Sequence, residues 1–322
     1  MTRISVIIPN WNGEAVLPIC LSSLREQSIP ADQVIVVDNG STDDSLQVAE
    51  SEYPGVTLLK LGRNYGFGYA VNRGIESSVA DLILLLNNDA QAERTWIEVI
   101  RDFFLANPQA LFCACKMLNF YDREIIDGAG DCLTRGGIAY KIGSAARDGA
   151  AYSVHRQVFG ASGGASAFRA EFFRKVGLFD ERFFMYLEDV DLSLRAQLNG
   201  ISCYFLPAAI VYHMEAQTDP DRAGRNPNPH TPSRTLWITR NRVLLLAKDY
   251  PASLLLRYLP RIIFGFVKSF GFHLIKTGYA GSFLKGFYLG LRAIGSVLRD
   301  RKAIQSSAKI STRRLHQLLE QC

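Results

Sequence analysis

Asp81-Leu-Ile-Leu-Leu-Leu-Asn87-Asn88-Asp89 is the stretch on which the fold turns. Five aliphatic residues in a row read as a strand buried on both faces, as in a parallel sheet covered by helices. Open α/β sheets bind ligands beyond the carboxyl ends of such strands, so the polar residues ending this run stand where a site belongs. Asn87 and Asp89 form a compact oxygen-donor cluster suited to a hard divalent cation, Mg²⁺ or Mn²⁺, that completes its shell with substrate phosphates. The plainer alternative is a polar turn after a core strand.

Outward from this strand the same alternation repeats. Residues 4–8 read as a first strand closed by Pro9, followed by a helix over about 14–27. A second buried strand covers 33–38 and ends on Asp38. The next helix starts near Asp43, with Ser41, Thr42 and Asp43 supplying cap oxygens. A strand over 56–61, a Gly-rich turn and a helix over about 69–77 complete a β/α series, which means a mostly parallel sheet flanked by helices. The first strand leads into Pro9-Asn10-Trp11-Asn12-Gly13 rather than G-x-G-x-x-G, which argues against a plain dinucleotide-binding dehydrogenase. Residues 113–150, containing Asp127-Gly-Ala-Gly-Asp131, read as a turn-rich excursion of the kind that carries the variable half of a site. Residues 218–233, with four prolines, read as a loop or linker.

The chain has 322 residues, 48% hydrophobic and 21% charged, enough for one large α/β domain and a smaller appendage. Its six cysteines lack the spacing of a disulfide framework or a zinc site and read as reduced thiols of a cytoplasmic protein. The start is too briefly apolar for a signal peptide, so no targeting segment is expected there. Charge is divided. Residues 1–233 hold 20 basic and 28 acidic side chains, net −8, whereas residues 234–322 hold 16 and 3, net +13. A basic tail rich in Leu, Ile, Phe and Tyr is unlike a nucleic-acid-binding arm, and a membrane surface suits it better.

Six motifs in order, Ser5-Val-Ile-Ile-Pro-Asn-Trp-Asn-Gly13, Val37-Asp-Asn-Gly-Ser-Thr-Asp43, Arg63-Asn-Tyr-Gly-Phe-Gly68, Asn72-Arg-Gly74, Leu86-Asn-Asn-Asp89 and Tyr186-Leu-Glu-Asp-Val-Asp-Leu192, resemble those of family-2 glycosyltransferases, particularly the bacterial rhamnosyltransferase-like branch. The resemblance implies a GT-A fold over residues 1–233, with a nucleotide-binding half to about 110 and a catalytic, acceptor-binding half from 111. It also implies an inverting transfer from a dTDP- or UDP-sugar, a divalent cation, and a lipid-linked or polysaccharide acceptor. Asp38 suits a pyrimidine imide or ribose hydroxyl, and the resemblance puts it at the nucleotide. Pro9, Asn12, Asn64, Asn72 and Asn88 would border the same pocket, with Gly163 and Gly164 of the small-residue segment 159–168 beneath the sugar. Asp89 matches the last residue of the family's D-x-D position, with Asn87 replacing the first Asp and removing one negative charge. His213 matches a position that completes the metal shell.

Glu188, Asp189 and Asp191 follow an aromatic run. Helical spacing would group Glu188 with Asp191 and turn Asp189 aside. An inverting transfer needs one carboxylate to take the acceptor hydroxyl's proton, and the resemblance assigns that task to Asp189, with Glu188 and Asp191 in support. Arg240 and Asn241 resemble a recurring pair whose Arg would face the diphosphate or acceptor. Residues 254–275 are too interrupted by charge to cross a bilayer. Interfacial helices on anionic lipid fit residues 234–322, at the inner face of the cell membrane, and a helical subdomain packed on the core or on another copy is the competing explanation. A nucleotidyltransferase, or a silent scaffold that binds nucleotide sugar, are the functional rivals.

Overall fold

A computed structural model describes residues 2–214 and 230–319. Most of the expected linker, from 218 to 229, and Cys322 fall outside the described residues. The first part alternates β1 (Ile4–Asn10), α1 (Leu17–Arg25), β2 (Gln33–Asp38), α2 (Ser45–Glu52), β3 (Thr57–Lys60), α3 (Phe67–Ser77) and β4 (Leu82–Leu86). A short β5 (Ala90–Ala92) and α4 (Trp96–Ala106) lead into β6 (Phe112–Asn119). The excursion holds small strands β7 (Ile126–Gly128), β8 (Asp131–Leu133), β9 (Ala139–Lys141) and β10 (Arg156–Val158). Then come β11 (Ala165–Arg169), α5 (Ala170–Val176), α6 (Glu188–Leu198) and β12 (Cys203–His213). The chain continues with α7 (Pro232–Asp249), α8 (Ala252–Phe272), α9 (Ala280–Ser307) and α10 (Thr312–Leu318).

The main sheet runs β10-β12-β6-β11-β4-β1-β2-β3. Its β4-β1-β2-β3 half is wholly parallel, as the alternation predicts. The other half is mixed, because β11 enters antiparallel between β4 and β6. All five residues of β4 are buried. Pro9 does not close β1; the strand continues to Asn10, paired with Asp38. Pairing with β4 stops at Ile7, so the nitrogen that Pro9 lacks costs the sheet nothing on that side. Helices cover both faces: α1, α2 and α4 contribute to one core cluster, α3, α5 and α6 to the other. Cys20, Cys113, Cys115 and Cys203 are free and buried.

The basic tail contributes its own core. Leu244, Leu245, Tyr250, Leu254, Ile262, Val297 and Leu315 pack with Phe183, Val190 and Leu194 of the catalytic body. No helix among the described residues is long and apolar enough to cross a membrane. A buried ion network pins α7 to α6. Lys248 Nζ lies 2.5 Å from Asp191 Oδ1 and 2.7 Å from Asp180 Oδ2, and Arg195 donates from Nε and Nη2 to Asp191 Oδ2 at 2.9 and 2.8 Å. Burial opposes ionisation of Asp191, but Lys248 and Arg195 outweigh it and hold the carboxyl below its ordinary range. Asp180 is likewise held down, by Arg182 and Lys248 against its own burial.

Removing one partner of such a network leaves uncompensated buried charge, so Lys248→Ala is expected to cost about 3–5 kcal/mol in denaturant unfolding at neutral pH. Both carboxyls are depressed in the folded state, so their contribution is present above the unfolded carboxylate value and is lost as pH falls through the folded values. The penalty of Lys248→Ala should therefore shrink in strong acid.

Candidate active site

The carboxyl end of β4 delivers Asn87, Asn88 and Asp89 to the sheet edge. The chain then turns into β5, which pairs with the end of β12 so that His213 stands opposite Ala90. This pairing seats His213 Nε2 3.2 Å from Asp89 Oδ1 and 3.4 Å from Asn87 Nδ2. Asn87, Asp89 and His213 thus meet. Asp127 of β7 joins them, with Oδ2 3.0 Å from His213 Nδ1, and is held in turn by Lys141 Nζ at 2.8 Å. Burial alone would lower the His213 pKa, and the flanking carboxylates of Asp89 and Asp127 override it, raising it to about 10. Asp89 Oδ1 and His213 Nε2 converge, and a carboxylate fixes the far imidazole nitrogen, the usual outer contact of a ligating histidine. Once Nε2 gives up its proton, that donor pair fits Mg²⁺ or Mn²⁺ shared with substrate phosphates. No group of three or more His, Cys, Asp or Glu side chains among the described residues is set to hold an ion by itself.

The loops after β1, β2 and β4 form the neighbouring wall. Asn10, which sequence reasoning passed over, bridges them: its Nδ2 donates to Asp38 Oδ1 at 3.4 Å, and its Oδ1 accepts from Asn88 Nδ2 at 2.8 Å. Asp38 also accepts from the Gly40 and Ser41 N–H groups, so it shapes its own loop. Pro9 precedes Asn10, and Asn12, at φ +49°, accepts from Thr42 N at 2.8 Å. Two expected nucleotide contacts are placed otherwise. The Asn72 amide donates to Phe179 O and Glu181 Oε1 and accepts from Phe179 N, clamping α3 to the loop before α6. Asn64 Oδ1 accepts from Asn39 Nδ2 and Gly66 N, a turn-forming task.

The three acids of α6 separate. Asp191 is fully buried in the Lys248 and Arg195 network, which removes it from the expected catalytic group. Glu188 is 6% exposed, and its Oε2 has no hydrogen-bond partner among the described residues. Asp189 alone keeps access to solvent, half-buried at the first turn of the helix. Its Oδ2 accepts from Gly163 N at 2.9 Å and its Oδ1 from Val190 N at 2.8 Å. Burial raises its pKa, with those two N–H groups working against the rise. Glu188 is raised well above the usual range by burial and by Asp189, as is Asp131, a buried carboxyl of the excursion that sequence reasoning left unassigned. Asp189 and the strand-end residues converge at two consecutive glycines: Gly163 N–H holds Asp189, and Gly164 O accepts from Asn87 N at 2.9 Å.

The family model for "Glycosyl transferase family 2" matches residues 5–177. The chain belongs to glycosyl transferase family 2. It is 33% identical, over 61% of its length and 70% of the relative's, to the "N-acetylglucosaminyl-diphospho-decaprenol L-rhamnosyltransferase" of Mycobacterium tuberculosis. Among solved structures it is similar to S. aureus TarS, with TM-score 0.56 and 17% identity over 99% of this chain and 55% of that one. It is also similar to the mannosyltransferase PcManGT from Pyrobaculum calidifontis in complex with GDP-Man and Mn²⁺, with TM-score 0.55 and 15% identity over 95% and 86% of the two chains. The fold is GT-A, and the protein is a glycosyltransferase.

In this glycosyltransferase the loop ahead of Asp189 is strained. Phe184, Tyr186 and Leu187 have φ of +62°, +67° and +69°, a conformation that costs non-glycine residues about 1–3 kcal/mol each. It is held from α7. Asn241 Nδ2 lies 2.8, 2.8 and 2.7 Å from the carbonyl oxygens of Phe183, Met185 and Tyr186. Arg240 donates to Arg182 O at 2.8 Å, and Trp237 stacks on Phe184 with ring centroids 4.8 Å apart. On the far side, Gly66 approaches so closely that a Cβ would overlap Phe184 O. Arg240 and Asn241 therefore grip the backbone that presents Asp189. Asn241→Ala should lower kcat at least tenfold while leaving the donor Kd nearly unchanged. Steady-state kinetics with calorimetric donor titration checks this, and faster amide exchange over 183–188 should accompany it.

Proposed function

We propose that this glycosyltransferase moves a sugar, rhamnose in the first instance, from a dTDP- or UDP-sugar to a lipid-linked glycan acceptor with inversion at the anomeric carbon. The observation that carries the reading is the meeting of Asp189 with the Asn87–Asp89 strand end at Gly163 and Gly164. The sugar and the lipid-diphosphate acceptor are those in the name of the mycobacterial relative.

Asp189 acts as general base. Its oxygens are oriented by Gly163 and Val190, and its raised pKa brings it toward the working pH, where a base is most effective. It takes the proton from the acceptor hydroxyl as that oxygen bonds to the anomeric carbon and the bond to the nucleoside diphosphate breaks on the opposite face. Asp89 and His213 would hold Mg²⁺ or Mn²⁺, which supplies positive charge against the departing diphosphate. Asn10, Asn12, Asp38 and Asn88 shape the nucleotide wall.

The test is transfer from dTDP-rhamnose, UDP-glucose, UDP-GlcNAc and GDP-mannose to a polyprenyl-diphosphate GlcNAc acceptor, with Mg²⁺, Mn²⁺ or chelator, and product anomer read by NMR. An inverted rhamnoside formed only with metal is the expected result; a retained anomer or full activity in chelator sinks the mechanism. Asp189→Asn should lower kcat by about 10²–10⁴-fold with donor affinity intact. Asp89→Ala should remove the metal-dependent part of donor binding in calorimetry. With wild-type enzyme, the acid limb of kcat/KM should fall above the ordinary Asp range, because Asp189 must be deprotonated and its pKa is raised.

A further inference from the structure

The helices α8 and α9 turn large apolar side chains outward. On α8, Leu256, Leu259, Ile263 and Val267 recur at three- and four-residue spacing and share a helix face. That face points to solvent: Leu256 is 75% exposed, and Phe264 at its margin 68%. The opposite face, with Leu254, Tyr258 and Ile262, is the one packed on the protein. The turn after α8 exposes Leu274 and Ile275, and α9 exposes Leu284, Tyr288, Leu291 and Leu298. These lie away from the buried Phe283, Gly286, Gly290 and Val297 of the same helix. A helix of a globular domain normally buries its single apolar stripe. Here each helix carries a second stripe on the outside, and exposed apolar surface of this kind marks an interaction site.

Charge selects the occupant. Arg257, Arg261 and Lys268 line one flank of the α8 stripe, and Lys285, Arg292 and Arg299 one flank of the α9 stripe, all exposed. The described acids of this region are turned away: Asp249 is buried and Asp300 pairs with Arg182. At the start of α8 a cavity of about 420 Å³ is lined by Leu254, Arg257, Thr312, Arg313 and His316, with no acid among these walls. A partner protein would need an acidic rim to match these cationic flanks. An apolar stripe edged by cations instead matches the boundary between acyl chains and anionic headgroups.

We propose that α8 and α9 lie on the surface of an anionic phospholipid bilayer, with the two stripes below the headgroups and the flanking cations among the phosphates. This placement does not depend on which sugar is transferred. The experiment is flotation of the full chain with phosphatidylcholine vesicles, with and without phosphatidylglycerol, alongside light scattering. The wild type should float with the anionic vesicles, less as salt rises, and hardly at all with the neutral ones. Ile263→Ser combined with Val267→Ser, and separately Arg261→Glu combined with Lys268→Glu, should each lower the vesicle-bound fraction on the order of tenfold. Unchanged circular dichroism would show that these exposed positions still fold. A wild type that stays with neither vesicle, or stripe variants that float as before, overturns the proposal. So does a wild-type oligomer that the stripe variants dissociate without vesicles, which would make this face an interface between copies.

Discussion

Two backbone contacts at adjacent glycines hold the site together. The Gly163 N–H fixes the Asp189 carboxylate and the Gly164 carbonyl accepts from Asn87, so the acid half and the strand-end half are tied to residues whose Cα atoms stand about 3.8 Å apart. Side chains approach both positions closely. A Cβ at Gly163 would come within 2.8 Å of the Phe67 ring, and one at Gly164 within 2.9 Å of Met117 Cε. The small-residue segment thus lets two distant parts of the chain approach one point, which a larger side chain would fill.

The second constraint is strain, answered from beyond the family's matched region. Three left-handed non-glycine residues before α6 need external restraint, and α7 supplies it through Trp237, Arg240 and Asn241 on one side while Gly66 admits Phe184 on the other. The same helix sends Lys248 into the buried pair of Asp180 and Asp191. The loop and the first turn of α6 are therefore held at both ends by one element. A stretch that composition assigns to the tail is, by its contacts, part of the catalytic framework.

The division of charge along the chain follows this architecture. Among the buried acids, Asp191, Asp180 and Asp127 are answered by Lys248, Arg195 and Lys141, while burial holds Glu188 and Asp131 toward the neutral form. The tail's basic residues that remain outside stand beside apolar side chains rather than beside acids. The result is a net acidic body joined to helices whose outer faces are apolar and cationic.

The parallel half of the sheet was legible because buried parallel strands write themselves as aliphatic runs: residues 33–38 and 82–86 match β2 and β4. Asp89, Asn87 and His213 were legible as strand-end residues through the family's motif order, and β5–β12 pairing brings them together. What sequence could not decide was which of three nearly adjacent acids faces the site. That depends on the rotation of α6 and on Lys248, more than fifty residues away, and it buries Asp191 while leaving Asp189 accessible. Asp127 and Lys141 stayed hidden because short strands in a turn-rich segment carry little periodicity. Asn72, Asn64 and Asn241 look alike in a sequence, as polar residues near glycines or arginines. Only the tertiary structure shows their amides spent on backbone carbonyls and turns, because hydrogen-bond partners are set by folding and not by residue type.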